Sequence, residues 1–173
     1  MAVGNLEFVK NGGTSTSVAS VSITDCFNDN YDVYKIVVDK QLSNVASYNL
    51  RFINSGGTTI STANYDYATL LMISNAANSE SRATNQTEIN GFLSVDARAL
   101  DTHNGGSIFY VFNPTSSSYT FVLHQSTYLN SGSGMRGRKS IGVLKTTDDI
   151  TGLYFALSTG NIENLNVNIY GVK

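Results

Sequence analysis

Glu163-Asn164-Leu165-Asn166-Val167-Asn168-Ile169-Tyr170 decides the fold class, because Leu165, Val167 and Ile169 alternate strictly with Asn164, Asn166 and Asn168. Successive side chains of an extended strand point to opposite faces, so this segment predicts a strand with one face in a core and one face wet.

Working outward, Leu153 to Ser158 reads as the preceding strand, joined through Thr159-Gly160-Asn161. Ser107 to Phe112, the turn Asn113-Pro114-Thr115-Ser116 and Tyr119 to His124 read as a hairpin, with the only proline where a turn tolerates it. Leu6 to Lys10, Ser17 to Ile23, Tyr31 to Val38 and Tyr48 to Asn54 carry the same strand signals. Asn11-Gly12-Gly13 reads as the turn between the first two, and Asn54-Ser55-Gly56-Gly57 as the turn to a returning strand at Thr58 to Ser61. Residues 62 to 105 are less regular: Ala68 to Ile73 fits a short strand or one helical turn, and the region reads as long functional loops. No credible long helix, heptad or internal repeat interrupts this pattern. The expectation is an all-β chain in which residues 1 to 173 form one β-sandwich, jelly-roll-like, of about eight or nine short antiparallel strands.

Composition agrees with that reading. Charged residues make up 14% of the chain, against about 25% in ordinary soluble domains. Ten Tyr and eight Phe, with no Trp, suit half-buried pleated surfaces. A net charge of −2 offers no broad positive field for phosphates, so no nucleic-acid partner is expected. The single Cys26 excludes an internal disulfide framework and Cys-based zinc sites, and its expected role is a small core residue. Residues 1 to 10 pass directly into strand pattern and no 18-residue apolar run exists, so neither a secretory leader nor a membrane span is expected.

Each stretch that suggests chemistry has a plainer structural reading. Asp25-Cys26-Phe27-Asn28-Asp29-Asn30-Tyr31-Asp32 offers oxygen ligands of the kind calcium takes, but lacks the central Gly and terminal Glu of an EF-hand loop. Turn stabilisation by Asp and Asn is the favoured reading, and no metal or cofactor is expected. In Gly132 to Ser140, Arg138 stands where a phosphate-cradling loop needs Lys, and no strand-to-helix junction surrounds it. Arg136, Arg138 and Lys139 read instead as a basic loop, either solvated or pairing with acidic groups of a neighbouring subunit. His103 and His124 sit near no Gly-x-Ser-x-Gly elbow, and the adjacent Asp148 and Asp149 cannot oppose each other across a sugar. No catalytic residue is therefore assigned. Tyr65, Tyr67 and Tyr128, set among Asn and Ser, are candidates for a glycan-stacking or protein-binding surface, or equally for packing on the sheet.

The C-terminal third, from Lys139-Ser140-Ile141-Gly142-Val143-Leu144-Lys145 through Ile150-Thr151-Gly152-Leu153-Tyr154-Phe155 and Ser158-Thr159-Gly160-Asn161 to Ile169-Tyr170-Gly171-Val172-Lys173, resembles small β-sandwich virion proteins of tailed phages, especially marine ones. The opening Met1-Ala2-Val3-Gly4-Asn5-Leu6-Glu7-Phe8, with Thr24-Asp25-Cys26-Phe27 and Tyr31-Asp32-Val33-Tyr34, adds to the likeness, which covers about half the chain at its two ends. The resemblance implies a non-enzymatic part of a phage particle, made in the host cytoplasm. The leading expectation is a capsid decoration or cement protein, trimeric by analogy, that contacts the major capsid protein and bridges capsid subunits. The alternative is a tail-associated adhesin or fibre subunit that binds a host glycan or receptor.

Overall fold

The computed structural model describes residues 5–43, 47–94, 105–130, 134–157 and 159–173. They form twelve β-strands and no helix: β1 (Leu6–Ser15), β2 (Ser20–Ile23), β3 (Val33–Ser43), β4 (Ser47–Asn54), β5 (Tyr65–Ile73), β6 (Ser79–Gln86), β7 (Ile89–Ser94), β8 (Gly106–Phe112), β9 (Thr120–Leu129), β10 (Met135–Leu144), β11 (Ile150–Ala156) and β12 (Ile162–Val172). Eight make one sheet in the order β1-β12-β3-β8-β9-β10-β5-β6, and four make a second in the order β2-β11-β4-β7. Every neighbouring pair is antiparallel. The two sheets enclose one core, which makes the molecule a β-sandwich.

β12 is the strand that its alternation predicts. Leu165, Val167 and Ile169 are buried, and β12 lies inside the large sheet between β1 and β3. β8 and β9 form the expected hairpin, Phe112 opposite Phe121. At its turn Asn113 takes a left-handed φ of 57° and the Pro114 carbonyl accepts the Ile150 N–H at 2.8 Å.

The strand count exceeds the expected eight or nine through β6, β7 and β10, and several other elements depart from their expected bounds. Asn11-Gly12-Gly13 is not a turn: β1 runs through it as a bulge against β12, with Gly13 at φ 76°, a conformation that glycine adopts without steric cost. β2 begins at Ser20 rather than Ser17. Thr58 to Ser61 does return along the end of β4 that β7 does not reach, but only as a bridge between Ile53 and Thr59, with the Asn54 N–H donating to the Thr58 carbonyl and the Ile60 N–H to the Phe52 carbonyl. The expectation of long loops over 62 to 105 is overturned for its described part, where β5, β6 and β7 stand. β6 hid as a strand because nearly all its positions are exposed and polar, and an edge strand needs no apolar face.

The core is dominated by large rings. Phe109 of β8 packs edge-on against Phe92 of β7 at 5.1 Å and against Phe155 of β11 at 6.2 Å, tying the large sheet to both sides of the small one. Gly142 makes room for this approach, since a Cβ there would lie 2.6 Å from Ile89 and 3.0 Å from Val122. Two buried tyrosines, Tyr65 and Tyr34, use their hydroxyls to hold backbone in the core. The Tyr65 hydroxyl accepts the Phe52 N–H and donates to the Ile60 carbonyl, both at 3.0 Å, so it bridges β4 and the returning Thr58 to Ser61 segment beside their direct Ile60 N–H to Phe52 carbonyl bond. The Tyr34 hydroxyl holds the Asn28 backbone, and Asn28 accepts the Asn30 N–H. Asn28 thus stabilises the turn within the 25–32 segment, and among the described residues no three His, Cys, Asp or Glu side chains converge. Cys26 is fully buried, and burial pushes its thiol up to about 12.

Between the sheets near β7 the interior turns polar. His124 is wholly buried, its ring tilted against that of Phe92 at 4.6 Å, with Nδ1 3.4 Å from the Ser140 hydroxyl. Burial, and then the positive charge of Arg138, push its imidazole down to about 3. In the unfolded chain it regains its ordinary value near 6.5. Between those two values the unfolded state binds the extra proton, so stability falls as pH falls through that window, while above 6.5 this effect vanishes.

Two outcomes are expected. Tyr65→Phe should lower unfolding free energy by about 1–3 kcal/mol, measured by urea denaturation at neutral pH, since it strands the Phe52 N–H and the Ile60 carbonyl. Going from about pH 7 to pH 4.5, the native chain should lose about 2 kcal/mol more stability than His124→Leu loses; matching losses in the two proteins would mean that His124 is not held neutral by the fold.

Candidate interaction face

The residues that present the most distinctive surface lie on the outer face of the large sheet. Strand parity sends Phe109, Val122 and His124 inward, and the alternate positions of the same strands are also apolar: Ile108, Tyr110 and Phe112 on β8, Phe121 and Leu123 on β9, Ile141 and Val143 on β10. The pairing register aligns them into rows. One row runs Phe8, Tyr170, Lys35, Tyr110, Leu123, Ile141, Ala68, Arg82 and crosses all eight strands. A second runs Leu6, Val172, Val33, Phe112, Phe121, Val143, Asp66. A third is more polar: Asn168, Val37, Ile108, Gln125, Lys139, Leu70, Glu80.

Several of these side chains stand well out into solvent, Phe8 at 59% exposure, Ile141 at 56% and Phe121 at 45%. The two flanks of the face differ. Toward β8, β3 and β12 it rises in rings, with Tyr110 and Phe112 6.3 Å apart and near parallel, and Phe8 edge-on to Tyr170 at 5.8 Å. Toward β10, β5 and β6 it borders a trough of about 760 Å³ lined by Phe121, Ile141, Val143, Ala68, Arg82 and Thr84. Charge at the rim is mixed. Lys145 pairs with Asp66 at 2.9 Å, and its hydrogen bond, with the Asn85 N–H, holds the Asp66 carboxyl below the usual range. At the opposite edge Glu7 is held low by the Lys173 ammonium at 2.6 Å and the Tyr31 hydroxyl at 2.6 Å.

The sequence-based candidates are distributed differently. Tyr65 is wholly buried and Tyr128 is 6% exposed, so neither ring can stack on a ligand; both occupy strand positions that face the core. Tyr67 is half-buried and packs against that core, along the lower wall of the trough. Arg136, Arg138 and Lys139 are not a loop: they belong to β10, where alternation separates them. Lys139 points outward with Ile141, while Arg136 and Arg138 share the inward side with Ser140. The Arg138 guanidinium donates to the Gly91 carbonyl of β7, a tie between the sheets, and burial lowers its pKa. Of Gly132 to Ser140, residues 132 and 133 lie outside the described residues, as does His103. Asp148 and Asp149 are exposed beside the start of β11, where the Asp149 carbonyl accepts the Ser55 N–H.

Sequence reasoning missed the face because both sides of β8, β9 and β10 are apolar. A strand such as Ile108-Phe109-Tyr110-Val111-Phe112 reads as wholly buried, and only its pairing partners tell which side lacks a cover.

No family model and no curated protein matches this chain. Among solved structures it is similar at 8% identity to a putative DNA-binding protein from Ralstonia eutropha, covering 92% of this chain and 83% of that one with a TM-score of 0.29. It is similar at 8% identity to the mouse laminin alpha1 LG4-5 domains, covering 98% of this chain and 45% of that one with a TM-score of 0.32. A bifunctional GH43-CE protein of Bacteroides eggerthii is 10% identical over 90% of this chain and 21% of its own length, with a TM-score of 0.30. These likenesses are too slight to carry an argument about what the chain does.

Proposed function

We propose that this chain is a non-enzymatic structural protein of a tailed-phage particle, seated on the shell as a decoration or cement protein. The observation that carries an assembly role is the apolar outer face of the eight-stranded sheet. Monomeric soluble proteins seldom expose contiguous apolar surface beyond a few hundred Å², and larger patches mark places where another molecule sits. The resemblance of residues 139 to 173 and of the opening strands to phage virion proteins supplies the setting in which such a surface has a partner. The reading as non-enzymatic is supported by where acid, base and nucleophile candidates go: His124 and Cys26 are buried in the core, and Asp66 and Glu7 are taken up by lysines.

A cement role asks for a rigid body that assembles with its neighbours, and the sandwich with its apolar face suits that role. The alternative, a tail adhesin, loses two of its three ring candidates to the core.

Quantitative mass spectrometry of purified particles tests the proposal directly. A copy number near that of the major capsid protein is expected. A few copies per hundred capsid subunits would move the protein to the tail, and its absence from particles would overturn the phage assignment.

A further inference from the structure

We infer that the outer face of the eight-stranded sheet is closed by a second copy of this chain, packed about a two-fold axis that runs along β9. This rests on the reading of the face as an assembly surface and names its partner.

The size of the face fits. The seven strands from β12 to β6, about 4.8 Å apart and covered over three rows or about 20 Å of strand length, present about 670 Å². A specific, stable interface takes about that much from each partner.

The layout of the face is self-complementary. β9 is fifth in the sheet order, so an in-plane axis along it lays β8 over β10, β3 over β5 and β12 over β6 of the other copy. The ring-bearing flank of each copy then faces the trough flank of the other, Phe112 over Val143 and Tyr110 over Ile141. In the same register the Tyr170 ring meets Arg82, a cation over an aromatic face. Lys35 lands above Ala68, one pleat from the Asp66 carboxylate. Each contact occurs twice, as an isologous interface requires. Two sheets packed this way lie about 10 Å apart with strands within about 30° of parallel.

The charges of the face favour a copy of itself over a foreign partner of one sign. Lys35, Lys139 and Arg82 share it with Asp66 and Glu80, so neither an acidic nor a basic surface would satisfy it. The trimer expected by analogy would need two different patches on each copy, whereas this face matches itself.

Sedimentation equilibrium of the purified full chain provides the test, joined to cross-linking. The native chain is expected to sediment at twice its chain mass. Leu123→Lys places two ammonium groups beside the axis on a side chain that points outward, and should weaken the dimer at least a hundredfold while circular dichroism and the thermal midpoint stay near native. Because Cys26 is buried, a short bis-maleimide should join copies of Leu123→Cys but not of Asn168→Cys, whose positions lie about 29 Å apart across the axis. A monomer at all concentrations, a trimer, or a dimer indifferent to Leu123→Lys would overturn the inference. A monomer still present at capsid-like copy number would leave the proposed function standing, and a dimer absent from particles would remove that function while the inference stands.

Discussion

Phe109 holds the molecule together across its thickness. Edge-on contacts to Phe92 at 5.1 Å and Phe155 at 6.2 Å reach both sides of the small sheet from the middle of the large one. Contacts of this kind add to the burial of the rings themselves, which is the main favourable contribution to a sandwich core. Once Phe109 is fixed inward, strand parity fixes Ile108 and Tyr110 outward, and pairing carries that decision to β9, β10 and β5. The outer face is thus a consequence of the core register, since a slip of one residue would exchange the two surfaces.

Polar groups inside the sandwich are placed where the sheets would otherwise leave backbone unpaired. The Tyr65 hydroxyl serves Phe52 and Ile60 between β4 and the segment that returns beside it, Tyr34 serves the 28–30 turn, and Arg138 reaches the Gly91 carbonyl. Gly91 itself sits at φ 60°, where a Cβ would lie 2.5 Å from that guanidinium. Buried polar side chains that are satisfied in this way specify one arrangement of the strands. They also explain why residues that look functional along the chain, Tyr65 and Arg138 in particular, are architectural.

The outer face differs from such sites in having no polar duty to perform. Two of its three rows are apolar at the centre and all carry charge toward β5 and β6, and the bulge in β1 at Gly13 bends the opposite edge away from regular pairing. A sheet protected at its edges and adhesive on its face suits sheet-on-face packing rather than strand addition.

By itself the sequence determined the all-β class and the faces of strands with clean alternation. Asn-Leu-Asn-Val-Asn-Ile allows one orientation only, because burying its amides without partners is costly. The β8 to β9 hairpin and its Asn113-Pro114 turn were equally legible, since turn chemistry is local. What the tertiary structure alone decided is the order of the strands, the conversion of residues 65 to 94 from apparent loops into β5, β6 and β7, and the inward course of Arg136 and Arg138. Pairings such as β12 with β3 and β10 with β5 join residues far apart in the chain, and period-two alternation carries no information about which strand will be the neighbour. Strands apolar on both faces, β8 above all, are silent about which side is covered. The candidate face was therefore present in every residue of the sequence and visible only once the sheets were assembled.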